Sequence, residues 1–393
     1  MGTGVLAGAC APAATVGSTA ALPNVSCPEG VTLANTEFTR GAQTALVRAQ
    51  VAGDTAGYQT ALGQSLQGTR ADANNPQSYY LAGQAYVGIG DYAGADSVFT
   101  RAEQICPGYA AEIEPERERA WAMAYQRGLD AYTAGDTMAA LASWEQATGI
   151  YQGRPDAVFN LAVLSAERGD SDRAVERYEE ALRILDQQPA IDPADTTTAS
   201  EMEARVETRR NVLAGMLNVG AQRFQAEQYG PAAQLFLRLT ELDPNNRDAW
   251  YNYALALYQQ EQWAQLLPAA QRVVQIDPLN ENAHVLVFNA HREQNQSDQA
   301  LRVLEGIEAL PIKMQSIQIA QGEGRSTLTG TVEGNRARAG TPVRLEFTFF
   351  GDGRTLGTQT VSVNAPASGA TGSFEVAVEN PTPVTSYRYR VLQ

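Results

Sequence analysis

The chain lacks most of what catalysis and membrane spanning require. It has no run of 18 or more apolar residues, so no segment reads as a membrane-spanning helix. Its only lysine is Lys313, its only histidines are His284 and His291, and its only cysteines are Cys10, Cys27 and Cys106. The two histidines lie seven residues apart, about 10 Å along a helix, too far to share a metal ion. With no other histidine, a Ser-His-Asp or Cys-His mechanism has no plausible members. CxxC, CxxCH and GxxxxGK[ST] are all absent. Carboxylate pairs such as Glu112/Glu114 and Glu201/Glu203 lie in charge-rich segments and read as solvated faces. A formal net charge of −15 excludes a nucleic-acid surface, which needs clustered Lys and Arg, and opposes adhesion to anionic lipid. These absences point away from an enzyme and from any cofactor, metal or small-molecule substrate.

What is present is repetition. The stretch from Asn75 to Tyr86 leads to Gly90-Asp91-Tyr92 and on to Ala95, Phe99, Ala102 and Pro107. Four further copies follow. Gly128, Gly135-Asp136, Ala140, Trp144 and Ala147 mark one, and Leu161-Ala162, Gly169-Asp170, Ala174, Tyr178 and Ala181 the next. Gly220, Tyr229, Ala232, Phe236 and Pro244 follow, then Trp250, Ala254, Trp263 and Pro278. Glu241-Leu242-Asp243-Pro244-Asn245 and Gln275-Ile276-Asp277-Pro278-Leu279 are near-copies of one turn, 34 residues apart. A weaker copy holds His284, His291, Ala300 and Leu304, and residues 35–69 suggest a degenerate first hairpin turning at Gly53-Asp54. The pattern resembles the tetratricopeptide repeat, in which small residues let two helices approach and bulky ones fill the gaps. Residues 186–200, rich in Pro, Asp and Thr, break the period before a long helix expected near 199–226.

After Pro311 the period changes to two. Val343, Leu345, Phe347 and Phe349 alternate with Arg344, Glu346 and Thr348, and Asp352-Gly353 supplies a hairpin turn. Phe374, Val376 and Val378, then Tyr387, Tyr389 and Val391, continue the alternation. This reads as a small antiparallel β-sandwich. The stretch from Phe349 to Gly357 resembles the central hairpin of FxLYD-type sandwich domains of exported bacterial proteins. The fold class expected is α+β multidomain: an all-α tetratricopeptide solenoid of about six or seven hairpins, then an all-β sandwich. The expected domains are residues 1–27 as leader and tether, 28–311 as solenoid with a break near 186–200, and 312–393 as sandwich.

Val5-Leu6-Ala7-Gly8-Ala9-Cys10 resembles a bacterial lipobox, although Leu6 sits one residue further from the cysteine than usual and no charged start precedes it. The resemblance implies lipidation at Cys10, an exported protein and a membrane-bound position on the periplasmic side. Residues 11–27 read as a flexible tether. If Cys10 carries lipid, Cys27 and Cys106 remain to form a disulfide, which an exported compartment allows; the alternative is two buried free thiols.

Tetratricopeptide repeats bind proteins along a groove lined by the first helix of each hairpin. The resemblance places Tyr80, Gln84, Tyr125, Tyr132, Phe159, Phe224, Tyr251, Tyr258, Asn289 and Arg292 there. The family's clamp for a C-terminal carboxylate needs lysine and is disfavoured. The function expected is a non-catalytic, lipid-anchored scaffold. It would serve as an accessory subunit of a membrane complex, in biogenesis, secretion, or respiratory or photosynthetic electron transfer, with protein partners and no nucleic acid. The alternative is a cell-wall or glycan-binding module that uses exposed Tyr387 and Tyr389 of the sandwich as a flat platform, with the repeats as spacer.

Overall fold

The structure, a computed structural model, describes residues 23, 25–31, 33–189, 199–322, 324–351, 353–380 and 382–392. Cys10 therefore lies outside the described residues, as does most of the period-breaking segment at 186–200. The chain forms two compact units that divide between Gln188 and Pro189.

The first unit contains four helical hairpins: α1 (Glu37–Ala52) with α2 (Thr55–Ala71), α3 (Pro76–Ile89) with α4 (Tyr92–Ile105), α5 (Ala110–Thr133) with α6 (Thr137–Ile150), and α7 (Asp156–Glu167) with α8 (Ser171–Gln187). Each turn between paired helices uses the same two residues. Gly53, Gly90, Gly135 and Gly169 take positive φ of 65–87°, where a Cβ would be strained. The aspartate that follows each one caps the next helix. Asp54, Asp91, Asp136 and Asp170 accept hydrogen bonds from the N–H groups of Gly57, Gly94, Ala139 and Arg173 at 2.6–3.2 Å, satisfying N–H groups that the helix itself leaves unpaired.

Within a hairpin the two helices approach at a glycine. A Cβ on Gly83 would lie 2.2 Å from the Phe99 ring, and one on Gly128 would lie 2.3 Å from the Trp144 ring. Both aromatics sit 16 residues after their glycine and are fully buried, so each ring fills the space that the missing side chain leaves.

The N-terminal segment is fastened to this unit. Cys27 and Cys106 form a disulfide that spans 79 residues of sequence. Val25, Val31 and Leu33 pack against the core around Tyr109, Trp121 and Trp144. Gly108 lets this segment pass close by, since a Cβ there would lie 2.6 Å from the Ser26 carbonyl oxygen. Asn75 Nδ2 donates to the Ala34 carbonyl at 2.9 Å.

The second unit holds three hairpins and the sandwich. The hairpins are α9 (Ala199–Gln225) with α10 (Tyr229–Leu242), α11 (Arg247–Gln259) with α12 (Trp263–Ile276), and α13 (Glu281–Glu293) with α14 (Ser297–Ala309). Gly220 meets Phe236 as Gly83 meets Phe99, at 2.5 Å. The turns differ from those of the first unit. Glu227, Glu261 and Asn295 take φ of 57–60° in place of glycine, and Gln228, Gln262 and Gln296 follow where aspartate would cap. A glutamine ladder takes over part of the fastening. Gln260 Nε2 donates to the Tyr229 carbonyl at 3.2 Å, and Gln294 Nε2, 34 residues on, donates to the Trp263 carbonyl at 3.1 Å.

The sandwich contains β1 (Ile312–Gly322), β2 (Arg325–Gly334), β3 (Pro342–Gly351), β4 (Arg354–Asn364), β5 (Thr371–Glu379) and β6 (Ser386–Leu392). They form two antiparallel three-stranded sheets, in the orders β1-β2-β5 and β4-β3-β6. Val343, Leu345, Phe347 and Phe349 of β3 point inward, as period-two alternation requires. Phe347 is the centre of an aromatic cluster, with ring centroids 4.9–6.2 Å from Phe349, Phe374, Tyr387 and Tyr389. Gly353 turns the β3–β4 hairpin with φ of 69°; Asp352 lies outside the described residues.

The uncapped left-handed turns generate a prediction. A non-glycine residue with left-handed backbone costs roughly 1–2 kcal/mol, and the Glu261 side chain is exposed. Glu261→Gly should raise stability by about 1 kcal/mol, read as a higher denaturant midpoint with unchanged slope.

Candidate functional site

The residues expected to line a groove separate by burial. Tyr80, Gln84, Tyr125 and Phe159 are 1–7 % exposed, and this corrects their reading as a free surface. Their neighbours explain why. The Tyr80 ring lies 5.4 Å from Tyr109 and 6.3 Å from Phe99. Gln84 Nε2 donates to the Tyr80 hydroxyl at 3.1 Å and to Glu116 at 2.7 Å. Tyr125 stacks on Trp121 at 4.9 Å, and its hydroxyl accepts from Asn160 at 3.4 Å. Phe159 packs on Tyr178 at 5.8 Å. Glu116 of α5 holds Gln84 of α3, and Tyr125 of α5 meets Asn160 of α7, so these contacts join successive hairpins, while Phe159 is buried within its own hairpin. Burial pushes the Tyr80 hydroxyl pKa well up, with Glu116 adding to the shift.

The other six remain at the surface. Tyr132 is half-buried and donates to Glu167 at 3.0 Å. Phe224, Tyr251, Tyr258 and Asn289 are half-buried and Arg292 is exposed. These five sit on α9, α11 and α13, the first helices of the three hairpins in the second unit. Phe224 meets Tyr229 edge-on at 5.2 Å, and Tyr258 meets Trp263 edge-on at 5.5 Å, the same pair repeated at the 34-residue period. The Arg247 guanidinium lies over the Tyr251 ring at 5.8 Å and that of Arg292 over Phe288 at 5.7 Å. Half-buried rings of this kind are already held in place, so a partner that covers them gains area with little loss of side-chain freedom.

The histidines have local roles. His284 Nε2 is 2.9 Å from the Pro278 carbonyl oxygen, and His291 Nδ1 pairs with the Gln296 side-chain oxygen. Among the described residues no cluster of His, Cys, Asp or Glu could hold a metal, and no helix is long and apolar enough to cross a membrane.

The structure also reveals a junction that sequence reasoning missed. The two near-identical repeat turns both face β6. Asp243 Oδ1 accepts from Ser386 Oγ at 3.0 Å. Asp277, fully buried, accepts from the Tyr389 hydroxyl, and at Oδ2 from Arg247 Nε and Asn280 Nδ2 at 3.0 Å each. The Leu279 N–H donates back to the Tyr389 hydroxyl at 3.2 Å. Lys313 pairs with Glu281 at 2.8 Å, and Asn335 Nδ2 donates to the Leu310 carbonyl at 2.8 Å. Burial opposes the Arg247 charge, but Asp277 beside it more than offsets this and holds the guanidinium protonated. Burial first, then Asp277, push the Tyr389 hydroxyl far above its ordinary range.

Tyr387 and Tyr389 are 7 % and 3 % exposed. The flat aromatic platform that a glycan-binding role required of them is therefore corrected: both rings belong to the sandwich core. Beside the junction lies a cleft of 240 Å³, walled by α9 on one side and by β1 on the other, with Asp243, Arg247 and Tyr387 among the residues that line it.

The tetratricopeptide-repeat family matches residues 76–109, 125–189 and 223–281, so the chain carries tetratricopeptide repeats in both units. These repeats make its helical part a protein-interaction scaffold, and no enzyme family is indicated. No curated protein matches the chain. Solved structures similar to it include YrrB, described as a tetratricopeptide-repeat protein with an unusual peptide-binding site, at 15% identity and a TM-score of 0.33, with 51% of this chain and 91% of that one covered. MamA from Desulfovibrio magneticus RS-1 is 16% identical, with a TM-score of 0.30 over 48% of this chain and 94% of its own. MamA AMB-1 is 15% identical, with a TM-score of 0.33 over 49% and 92%. At these values the likenesses carry no argument about this chain.

Asp243 gives a pH prediction. Burial raises its pKa above the ordinary carboxylate value, against the opposing hydrogen bonds from the Asn245 N–H and Ser386. A carboxyl whose folded pKa is raised is a liability at neutral pH, and that liability fades as pH falls through the folded value. Asp243→Asn, which keeps an accepting oxygen, should therefore raise the melting temperature at pH 7. The gain should vanish below the unfolded carboxylate pKa of about 4, as melting curves of both proteins across pH would show.

Proposed function

We propose that the protein is an exported, lipid-anchored scaffold on the outer face of a bacterial membrane, where it serves as an accessory subunit of a membrane complex. The observation that carries the binding role is the series of half-buried rings on α9, α11 and α13, ending in Asn289 and Arg292. This surface offers aromatic anchors with cationic and amide groups at one end, which suits a protein partner. Repeats and sandwich in the second unit are fastened by buried hydrogen bonds, so the surface is presented on a firm support.

The address rests on two supports. The residues around Cys10 resemble a lipobox, and one acyl-modified cysteine would supply membrane attachment without a spanning helix. The Cys27–Cys106 disulfide suits an oxidising compartment. It would also place the end of the tether at a fixed point on the first unit. The likeness of the β3–β4 hairpin to FxLYD-type domains agrees with export. The host assembly is read as one of biogenesis, secretion or electron transfer.

The binding role is tested by mild-detergent purification of the tagged protein from its own membranes, with cross-linking and mass spectrometry. A membrane complex should co-purify, with cross-links on α11 and α13. Asn289→Ala combined with Arg292→Ala should cut its recovery about tenfold or more while the melting temperature holds. Equal recovery from the variant would remove this surface from the reading.

The anchor has a separate test. Cys10→Ala should move the protein from the detergent-requiring membrane fraction to the salt-washable or soluble fraction. Identical fractionation of both forms would defeat the lipid anchor and leave the binding surface untouched.

A further inference from the structure

The edge of β1 leaves main-chain hydrogen-bonding groups without partners among the described residues. β1 is the outer strand of its sheet. The Met314 N–H turns away from β2 and donates to the Leu279 carbonyl at 2.8 Å, which makes Met314↔Val332 a pair that exchanges no hydrogen bonds. The register then shifts at a bulge between Met314 and Ser316. Every second residue of β2 repeats the position of Val332, so Gly330 and Leu328 do also, and their partners are Ile317 and Ile319. The N–H and C=O groups of Ile317 and Ile319 therefore point out of the sheet. Among the described residues they meet no hydrogen-bond partner. The edge is closed at both ends, by Leu279 at one and by Gln321 Nε2 on the Val384 carbonyl at the other, and it is open between.

The same two isoleucines are half-buried and turn their side chains into the 240 Å³ cleft, opposite Leu213 and Leu217 of α9. An edge is normally guarded by charge or proline, yet Met314–Gly322 contains neither. Two features argue against a second copy of this chain as its occupant. The bulge twists the edge away from flat self-pairing, and α9 stands over it, so a second β1 would bring a second α9 into the same space. The cleft has room for a few side chains and not for another folded unit. The charges that line it balance, Asp243 and Asp248 against Arg210 and Arg247, so the cleft favours an occupant without net charge.

We propose that this edge is a second peptide-binding site, where an extended, uncharged segment of a partner protein adds as a strand to β1 between Ser316 and Ala320. Its main chain pairs with the open groups of Ile317 and Ile319, and alternate side chains enter the slot between α9 and β1. The site is independent of the aromatic surface proposed above and stands or falls without it.

The test uses the intact protein and a capped decapeptide of alternating valine and threonine, fluorescently labelled through the amine of a C-terminal lysine. Anisotropy should show saturable binding, and amide exchange at Ile317 and Ile319 should slow at least tenfold in the complex. Ala214→Trp, an exposed α9 position lining the cleft, should weaken binding at least tenfold without lowering the melting temperature. Ile319→Pro, which removes one open N–H, should weaken binding as much. Leu301→Ala, at an exposed α14 position that does not line the cleft, should leave binding unchanged. Three results would overturn the proposal: no saturable binding up to millimolar peptide, equal binding by the Ala214→Trp protein, or exchange protection that appears without peptide and grows with protein concentration, which would assign the edge to a second copy.

Discussion

Asp277 has no contact with water and is met by three donors, from Arg247, Asn280 and Tyr389. An ion removed from water costs several kcal/mol unless its partners are well placed, so this carboxylate ties together every element that supplies one. Those elements are the start of α11, the turn into α13 and the last strand of the sandwich. Tyr389 then does double duty, because its hydroxyl also accepts from the Leu279 N–H while its ring stacks on Phe347 at 4.9 Å. The sandwich core and the repeat turn are thus joined through one side chain. The cleft beside β1 and the support beneath the aromatic surface on α11 and α13 both depend on that arrangement.

The two units solve the same local problem differently. In the first, glycine and aspartate at each hairpin turn supply a left-handed bend and a helix cap at once. In the second, glutamate or asparagine takes the bend and the cap is missing. The helices there draw support from elsewhere: from Gln260 and Gln294 reaching to the preceding repeat, and from the sandwich itself. This agrees with the general rule that repeat stability is a sum of internal and nearest-neighbour terms. Weak internal turns are tolerated where neighbours supply more. The disulfide plays a comparable part at the other end of the chain, holding the N-terminal segment against the core of the first unit.

The helical hairpins and their order were legible in the sequence, because a 34-residue period with small and large residues in phase has one physical solution: two close-packed helices per repeat. The alternation along β3 and β5 likewise declared strands and their buried faces, since a period of two leaves each side chain only two faces to choose from; along β6 it declared the strand, but only packing showed that Tyr387 and Tyr389 are core and Val391 is exposed. The sequence also showed Asp243 and Asp277 as matching members of two copied turns. It could not show what those carboxylates face. Ser386 and Tyr389 lie 143 and 112 residues away from them, and contacts at such separation leave no local pattern. The same limit governed the groove. Tyr80 and Tyr125 occupy surface positions of the repeat, yet contacts between successive hairpins bury them, and Phe159 is buried against Tyr178 of its own hairpin, while Tyr251 and Tyr258 at comparable positions stay half-open. Residue type and spacing determined which elements form. Only the packing of one element on the next decided which rings became core, which stayed at the surface, and that the edge of β1 was left open beside α9.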